Sequence, residues 1–225
     1  MSPFWIVFIG LMVLSFVASK SVENKFKRYA KIPTNGGMTG CEVAERMLYD
    51  NDIHNVTVRE VRGMLTDHYN PTNRTLNLSH DVYYGTSVAA AAVAAHECGH
   101  AVQHARAYSW LTLRSMLVPV VNFSNMWVSW VLLAGVLLIN KFPQLLLAGI
   151  CLFALTTLFT LVTLPVEINA SKRALVWLNT HSITSVDTHP YAESALRSAA
   201  YTYVVAALTS LATLFYYVMI YLDRK

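Results

Sequence analysis

Two histidines and a glutamate in the segment His96-Glu97-Cys98-Gly99-His100 form the pattern HExxH, which suits a metal-dependent hydrolase. On a helix, positions i and i+4 share one face, so His96 and His100 can bind one metal ion beside Glu97. The five residues alone do not exclude two surface histidines with an incidental glutamate. We predict that His96 and His100 are ligands of one Zn²⁺ ion per chain and that Glu97 is the catalytic base.

The neighbouring residues predict a long helix that carries this pattern. The run from Val88 to Ala95 is rich in alanine, the strongest helix former, and Ala101-Val102-Gln103-His104-Ala105 continues without a helix breaker. We therefore expect a helix from about Ser87 to Arg106. Cys98 falls on a different helical face from the histidines, which favours a small packing residue over a ligand.

A catalytic zinc site needs a third protein ligand, and His104 is the nearest candidate in the sequence. On an unbroken helix it would lie about 12 Å along the axis from His96, which is too far from a metal held by the HExxH histidines. The metzincin arrangement is excluded, because Gln103 and Arg106 stand where it requires glycine and histidine.

Glu167 is the better candidate for the third ligand. It is the only acidic residue between Glu97 and Asp187, and it follows a long apolar block. A carboxylate at a membrane boundary is costly unless it is paired or bound to a metal. A salt bridge to Lys172 or Arg173 is the alternative. Together with HExxH, the position of Glu167 predicts a thermolysin-like ligand set of two histidines and one glutamate.

The composition indicates a membrane protein, because 55% of the residues are hydrophobic and only 13% are charged. The apolar residues are concentrated in four blocks without charge, which predict four membrane spans. The blocks are Phe4 to Ala18, Leu117 to Asn140, Leu145 to Val166 and Tyr201 to Leu222. A cleaved signal peptide is the alternative for the first block. It is disfavoured because the basic residues follow that block rather than precede it.

The basic residues also predict an orientation, since Lys and Arg are retained on the cytoplasmic side of a membrane. Most of them lie in the two large loops that follow the first and third apolar blocks, whereas Lys141, Arg224 and Lys225 fall on the other side of the membrane. We expect both termini outside and both loops in the cytoplasm. Two spans separate HExxH from Glu167, so both would lie at the cytoplasmic face. Basic residues beside spans, which face the anionic lipid of the bilayer, account for the net charge of +4, so no nucleic-acid partner is required.

The predicted fold class is mainly α with a small β element: a polytopic membrane protein with about four transmembrane helices and a zincin-like cytoplasmic HExxH domain. The domain boundaries are a first transmembrane helix at 1–19, the zincin-like domain at 20–116, a transmembrane hairpin at 117–166, a cytoplasmic segment with the third ligand at 167–200 and a last transmembrane helix at 201–225.

Local patterns predict the elements of the zincin-like domain. Thr39 and Glu42 resemble a helix start, with the helix ending near Asn51. The segments 56–61 and 75–79 are strand-like. An exposed edge of the segment 75–79 could bind an extended peptide, or the segment could be a plain structural strand.

Nearly the whole chain resembles the YugP-type membrane zinc metallopeptidases. The resemblance rests on these motifs: Gly-Met-Thr-Gly-Cys-Glu-Val-Ala at 37–44, Leu-Thr-Asp-His-Tyr at 65–69, Leu-Ser-His-Asp-Val-Tyr-Tyr-Gly at 78–85, Ala-Ala-His-Glu-Cys-Gly-His-Ala-Val-Gln-His at 94–104, Leu-Arg-Ser at 113–115 and Leu-Pro-Val-Glu-Ile-Asn-Ala-Ser at 164–171. It implies a zinc peptidase of the bacterial cytoplasmic membrane.

A more distant similarity links Glu167-Ile168-Asn169-Ala170-Ser171 to the ExxAD element of HtpX-type membrane proteases. In that element the Asp orients a zinc-bound histidine, and here Ser171 takes its place. Asn169, Ser171 and Asp81 are the candidates for the orienting residue.

These patterns together predict a metalloendopeptidase that acts on unfolded or membrane-associated proteins at the cytoplasmic face. A non-enzymatic zinc-binding scaffold or assembly factor is the alternative. An intramembrane site-2 protease is disfavoured because only about eight apolar residues precede His96, and a transporter because the spans lack ionisable residues. The sequence leaves open whether the chain forms an oligomer or has a regulatory membrane partner.

The candidate donors to the oxyanion are His181, His189, Tyr191, Arg197 and Tyr201, whereas His68 and His104 are expected to be structural.

Overall fold

The computed structural model describes residues 3–223, so Met1, Ser2, Arg224 and Lys225 lie outside the described residues. Within that range the chain is mainly helical with one small sheet, as the sequence predicts. The helices are α1 Pro3–Tyr29, α2 Gly40–Asp50, α3 His80–Tyr83, α4 Val88–Ala105, α5 Ser109–Leu137, α6 Pro143–Thr180 and α7 His189–Leu222, and the strands are β1 Thr57–Val61, β2 His68–Asn70 and β3 Thr75–Ser79.

Four of these helices are long and apolar enough to cross a membrane, and they overlap the four predicted spans: α1 from Trp5, α5, which ends three residues before the predicted limit Asn140, α6 and α7. Helix α1 continues past its apolar block to Tyr29, and Glu23 forms ion pairs with Lys20 and Lys27 on successive turns of this extension. Helix α6 has 38 residues and is therefore about 57 Å long, almost twice the thickness of a hydrocarbon core. It therefore has more residues than one span requires, and Glu167 lies after its apolar block.

The long helices pack in the order α5, α6, α7, α1, so α6 is central to the bundle. The α5–α6 contact is close because glycines face the partner helix. A Cβ atom at Gly135 would lie 2.6 Å from Cα of Leu146, and one at Gly149 would lie 2.8 Å from the side chain of Leu132. These contacts bring the two helices of the hairpin together as an antiparallel pair.

The predicted helix start at Thr39 is confirmed as a capping box at the beginning of α2. The Glu42 N–H donates to Thr39 Oγ1, and the Thr39 N–H donates to the Glu42 carboxylate at 2.7 Å. Helix α2 buries Val43, Met47 and Leu48 against α4, as its amphipathic pattern predicts. It therefore forms one side of the packing around α4.

The sheet has the order β1-β3-β2, with β1 parallel and β2 antiparallel to β3. The sequence predicts β1 and β3 but misses β2. The hypothesis of an exposed peptide-binding edge at Thr75–Ser79 is wrong, because β3 is the central strand, is paired on both sides and is buried throughout. The strand that lies beside α4 with an open edge is β2.

Candidate metal centre

Helix α4 begins and ends within one residue of the predicted limits, with Ser87 as its N-cap and Arg106 as its C-cap. The side chain of Ser87 accepts a hydrogen bond from the Ala90 N–H at 3.2 Å. Cys98 is fully buried and its thiol contacts the Ala44 carbonyl, which confirms a packing role. The helix thereby holds its HExxH segment in a rigid environment.

The structure brings His96, His100 and Glu167 together, with one ligand atom of each within 4.8 Å of the others. Oε2 of Glu167 lies 3.3 Å from Nε2 of His96 and 3.5 Å from Nε2 of His100. The two imidazole rings are nearly perpendicular, with centroids 4.8 Å apart. Glu167 is buried at 3% exposure, so its charge depends on these neighbours rather than on bulk water.

Gly99 explains how Glu167 comes so close to α4. A Cβ atom at this position would lie 2.7 Å from the carbonyl oxygen of Ala170 on α6. Only glycine allows the two helices to approach this closely without a shift of backbone. The close approach places the turn of α6 that carries Glu167 against the turn of α4 that carries the histidines.

The orientation of His100 is fixed by Gln103, whose Oε1 lies 3.1 Å from Nδ1 of His100. The Gln103 amide nitrogen donates to the carbonyl of Val166 at 2.8 Å and to Oδ1 of Asn169 at 3.0 Å. Because a backbone carbonyl can only accept, Gln103 must present its oxygen to His100. Neutral His100 therefore carries its proton on Nδ1 and directs the lone pair of Nε2 towards Glu167.

Ser171 is the corresponding partner of His96, with Oγ 3.1 Å from Nδ1 of the imidazole. Of the three orienting candidates, Ser171 thus contacts a histidine directly and Asn169 acts one step further out, through Gln103. Among the described residues, Asp81 makes no hydrogen bond to either histidine, so that candidate is excluded. The orienting role of Gln103 was not predicted from the sequence, although its i+3 spacing from His100 places it on the same helical face.

This donor set fits a zinc ion. Two imidazole nitrogens and a buried carboxylate converge, and their mutual repulsion requires a cation or shared protons between them. In a tetrahedral zinc site with bonds of about 2.0–2.1 Å, neighbouring ligand atoms are about 3.3 Å apart, close to the separations of Glu167 from the histidines. Two histidines and one glutamate are also a common catalytic zinc set.

Glu97 is buried beside the HExxH histidines, and its Oε2 accepts a hydrogen bond from the backbone N–H of Tyr69 at 3.0 Å. The Tyr69 hydroxyl lies 2.9 Å from Nδ1 of His104, so β2 is held to α4 at two points. Burial raises the pKa of nearby Asp67, hydrogen bonds from Ser79 oppose this, and the Glu97 carboxylate raises the pKa further. Because the Tyr69 N–H donates to Oε2 of Glu97, the strand β2 fixes this oxygen.

These residues line a cavity of about 580 Å³ with walls of two kinds. One wall consists of residues around β2, including Asp67, His68 and Tyr69. The other wall comes from the long apolar helices, and it includes Leu111, Arg114 and Val118 of α5 and Tyr203 of α7. The cavity thus lies where α4 and the small sheet meet the candidate spans.

Arg114 is the cation nearest to Glu167, with Nη1 3.8 Å from Oε1. The alternative of a salt bridge from Glu167 to Lys172 or Arg173 is wrong, since Arg173 instead donates to Oδ1 of Asn169 at 2.8 Å. In the sequence, Arg114 belongs to the Leu-Arg-Ser motif at 113–115, but nothing there indicated a position at the proposed metal site.

The five residues suggested as donors to an oxyanion do not line this cavity: His181, His189, Tyr191, Arg197 and Tyr201. His181, for example, pairs with Asp50 at 3.2 Å. His68 and His104 have hydrogen-bond partners, as structural histidines would, but both also line the cavity. Nothing in the sequence indicated that Tyr203 lies at the site, because only the tertiary packing of α7 on α6 brings it there.

Comparison with known proteins defines the class of protein. Residues 4–222 match the family model described as "Putative neutral zinc metallopeptidase", and the chain belongs to this family. It is 43% identical, over 217 residues, to the "Putative membrane protease YugP" of Bacillus subtilis (strain 168), with 96% of both chains covered. No solved structure matches the chain.

Proposed function

We propose that the chain is a membrane-bound zinc metalloendopeptidase with His96, His100 and Glu167 as the metal ligands and Glu97 as the general base. The observation that carries the proposal is the position of the Glu167 carboxylate, which is buried against Nε2 of both HExxH histidines at 3.3 and 3.5 Å. Membership of a zinc metallopeptidase family supports the same activity.

A zinc ion bound there would lower the pKa of a water molecule and polarise the carbonyl of the scissile peptide. Glu97 accepts the proton of the attacking water and delivers it to the leaving amine. The Tyr69 N–H holds one oxygen of Glu97, which leaves the other for this transfer. Tyr203 and Arg114 are the proposed donors to the developing oxyanion, because both line the cavity that contains Glu97 and the proposed metal ligands.

The proposed substrates are unfolded or membrane-associated proteins that bind as extended peptides along β2. The N–H of Tyr69 is directed away from β3 and towards Glu97. In a strand, the N–H and C=O of one residue point to the same side, so the Tyr69 carbonyl also faces the cavity and can accept from a peptide. The wall formed by α5 and α7 favours substrates that approach from the membrane.

We also propose that residues 20–116 form a zincin-like domain and that the site faces the cytoplasm of a bacterial cell. The basic residues that follow the first apolar block in the C-terminal part of α1, among them Lys25, Lys27 and Arg28, support this orientation. The four candidate spans and the membrane protease name of the Bacillus relative support the membrane location.

The decisive experiment compares wild type, Glu97→Gln and the exposed-acid control Glu45→Gln, each purified in detergent. Zinc content and casein cleavage are measured on the same samples. Glu97→Gln should retain zinc and lose cleavage by about 10²–10⁴-fold, the range expected for a general base. Undiminished cleavage by Glu97→Gln would contradict the assignment. Zinc binding without any cleavage by wild type would favour the non-enzymatic scaffold.

A further inference from the structure

A second cavity of about 410 Å³ lies in a groove between α6 and α7, and it shares no lining residue with the metal cavity. We call it the α6–α7 groove. Its lining includes Ile168, Lys172, Glu193, Arg197, Tyr201 and Val204. Arg197 and Tyr201, which the sequence suggested for catalysis, belong to this groove.

The two cations of the groove lie further from the apolar blocks than Ile168 and Val204 do, and the apolar Leu175 and Val176 line the groove beyond Lys172. Along α6, the apolar block comes before the groove residues. Along α7, most of the groove residues come before the apolar block. Ile168 therefore lies just beyond the apolar block of α6, Val204 lies within that of α7, and Lys172 lies about 6 Å further along α6 than Ile168. On α7, Arg197 is seven residues from Val204, about 10 Å, and Glu193 is further still. The two cations thus lie at the level expected for lipid headgroups.

Both cations are available to a ligand. Among the described residues, neither Lys172 nor Arg197 forms an ion pair, and Arg197 is exposed. The guanidinium carbon of Arg197 lies 5.8 Å from the centroid of the Tyr201 ring, a contact that orients the side chain over the groove. Ile168 and Tyr201 are each 49% exposed, so an apolar surface adjoins the charged one.

We propose that the α6–α7 groove binds a glycerophospholipid of the surrounding membrane. Its phosphodiester lies between Lys172 and Arg197, because these side chains supply the donors and the charge that a phosphate requires. Its acyl chains follow the surface of Ile168 and Val204. Glu193, at the outer end, accepts hydrogen bonds from the hydroxyl or ammonium group of the head. Free phosphate lacks the acyl chains and binds this groove poorly.

Native mass spectrometry of the delipidated full chain, titrated with dioleoyl phosphatidylglycerol in a phosphate-free detergent, tests this site. The double variant Lys172→Gln/Arg197→Gln should bind the lipid about tenfold or more weakly, since each basic residue near a headgroup contributes substantially. The control Lys141→Gln/Arg62→Gln removes the same charge elsewhere and should bind like wild type. Lys172→Arg/Arg197→Lys keeps both cations and should also bind.

Equal affinity of the groove variant and wild type would overturn the proposal, as would equal weakening by the control pair. Competition by excess inorganic phosphate would also overturn it, because the groove would then recognise a free anion rather than a lipid. Unchanged zinc content in the groove variant excludes misfolding as the cause of weaker lipid binding. Loss of binding only when the cations of the groove are neutralised supports the site.

Discussion

Oε1 of Gln103 lies 3.1 Å from Nδ1 of His100, three residues earlier on the same helix. The contact is neutral, and so is the contact of Ser171 with His96. Neither proposed metal-binding histidine is therefore paired with a carboxylate through its Nδ1. The tautomer of His100 depends instead on an amide whose own orientation is fixed by the Val166 carbonyl and Asn169 on α6.

Replacing Gln103 with methionine should weaken zinc binding about 10- to 100-fold, the usual effect of losing a residue that orients a ligand. Methionine keeps most of the volume but replaces the amide oxygen, which accepts a hydrogen bond from His100 Nδ1–H, by a weakly accepting thioether sulfur. Zinc affinity is measured by competition with a chelator. The matched control is Gln144→Met near the start of α6, where the side chain is exposed and affinity should not change. Equal affinities of Gln103→Met and wild type would contradict this positioning role.

Glu167→Gln should lose most of the bound zinc, because the amide keeps the shape of the side chain but removes the charge that balances the metal. Zinc is measured by elemental analysis after passage over a chelating resin. Glu193→Gln, outside the metal cavity, serves as the matched control and should retain zinc. A fully loaded Glu167→Gln variant would show that the third ligand is another residue.

Gly99→Ala should destabilise the protein, because its Cβ would lie 2.7 Å from the Ala170 carbonyl. Overpacking of this kind costs about 1–3 kcal/mol, which exceeds the gain of about 1 kcal/mol from replacing a helical glycine by alanine. Zinc affinity should fall as well, since α6 must move away from the histidines. Thermal unfolding and chelator competition measure the two effects.

Gly10→Ala is the control for this substitution. No other part of the described structure lies within 4 Å of a Cβ atom at Gly10, so the change should be neutral or stabilising. A Gly99→Ala variant as stable as Gly10→Ala would show that α4 and α6 can separate without cost.

Tyr203→Phe should lower kcat about 10- to 1,000-fold with little change in zinc content, because it removes one proposed donor to the oxyanion. Tyr201→Phe is a matched control, since Tyr201 lies two residues away on α7 and lines the α6–α7 groove instead. Equal loss of activity in both variants would indicate a general effect on α7. Undiminished kcat in Tyr203→Phe would leave Arg114 as the candidate donor.

Features that depend on local sequence were predictable here. The limits of α4 follow from its alanine run and the Ser87 cap, and the start of α2 follows from the capping box. Glu167 could be singled out because a long apolar stretch contains no other acidic residue. Its spatial relation to the histidines follows from counting two spans between them.

Features that depend on tertiary contacts were not predictable in the same way. The strand β2 has three residues, too few to show an alternating pattern, so the order of the sheet and its open edge could not be inferred. Arg114 and Tyr203 reach the cavity only through the packing of α5 and α7 on α6. The oxyanion candidates failed for this reason, since distance along the sequence does not show which helical face meets the site.

The proposed orientation predicts opposite accessibility of two surface positions. In a variant without native cysteines, Lys141→Cys should react with a membrane-impermeant maleimide in intact cells, because it lies in the connection between α5 and α6. Arg62→Cys, directly after β1, should react only after lysis, because the positive-inside rule assigns the large loops to the cytoplasm. Both side chains belong to exposed positions, so burial does not limit the reaction. Labelling of Arg62→Cys but not Lys141→Cys in intact cells would place the metal centre outside and restrict its substrates to that face.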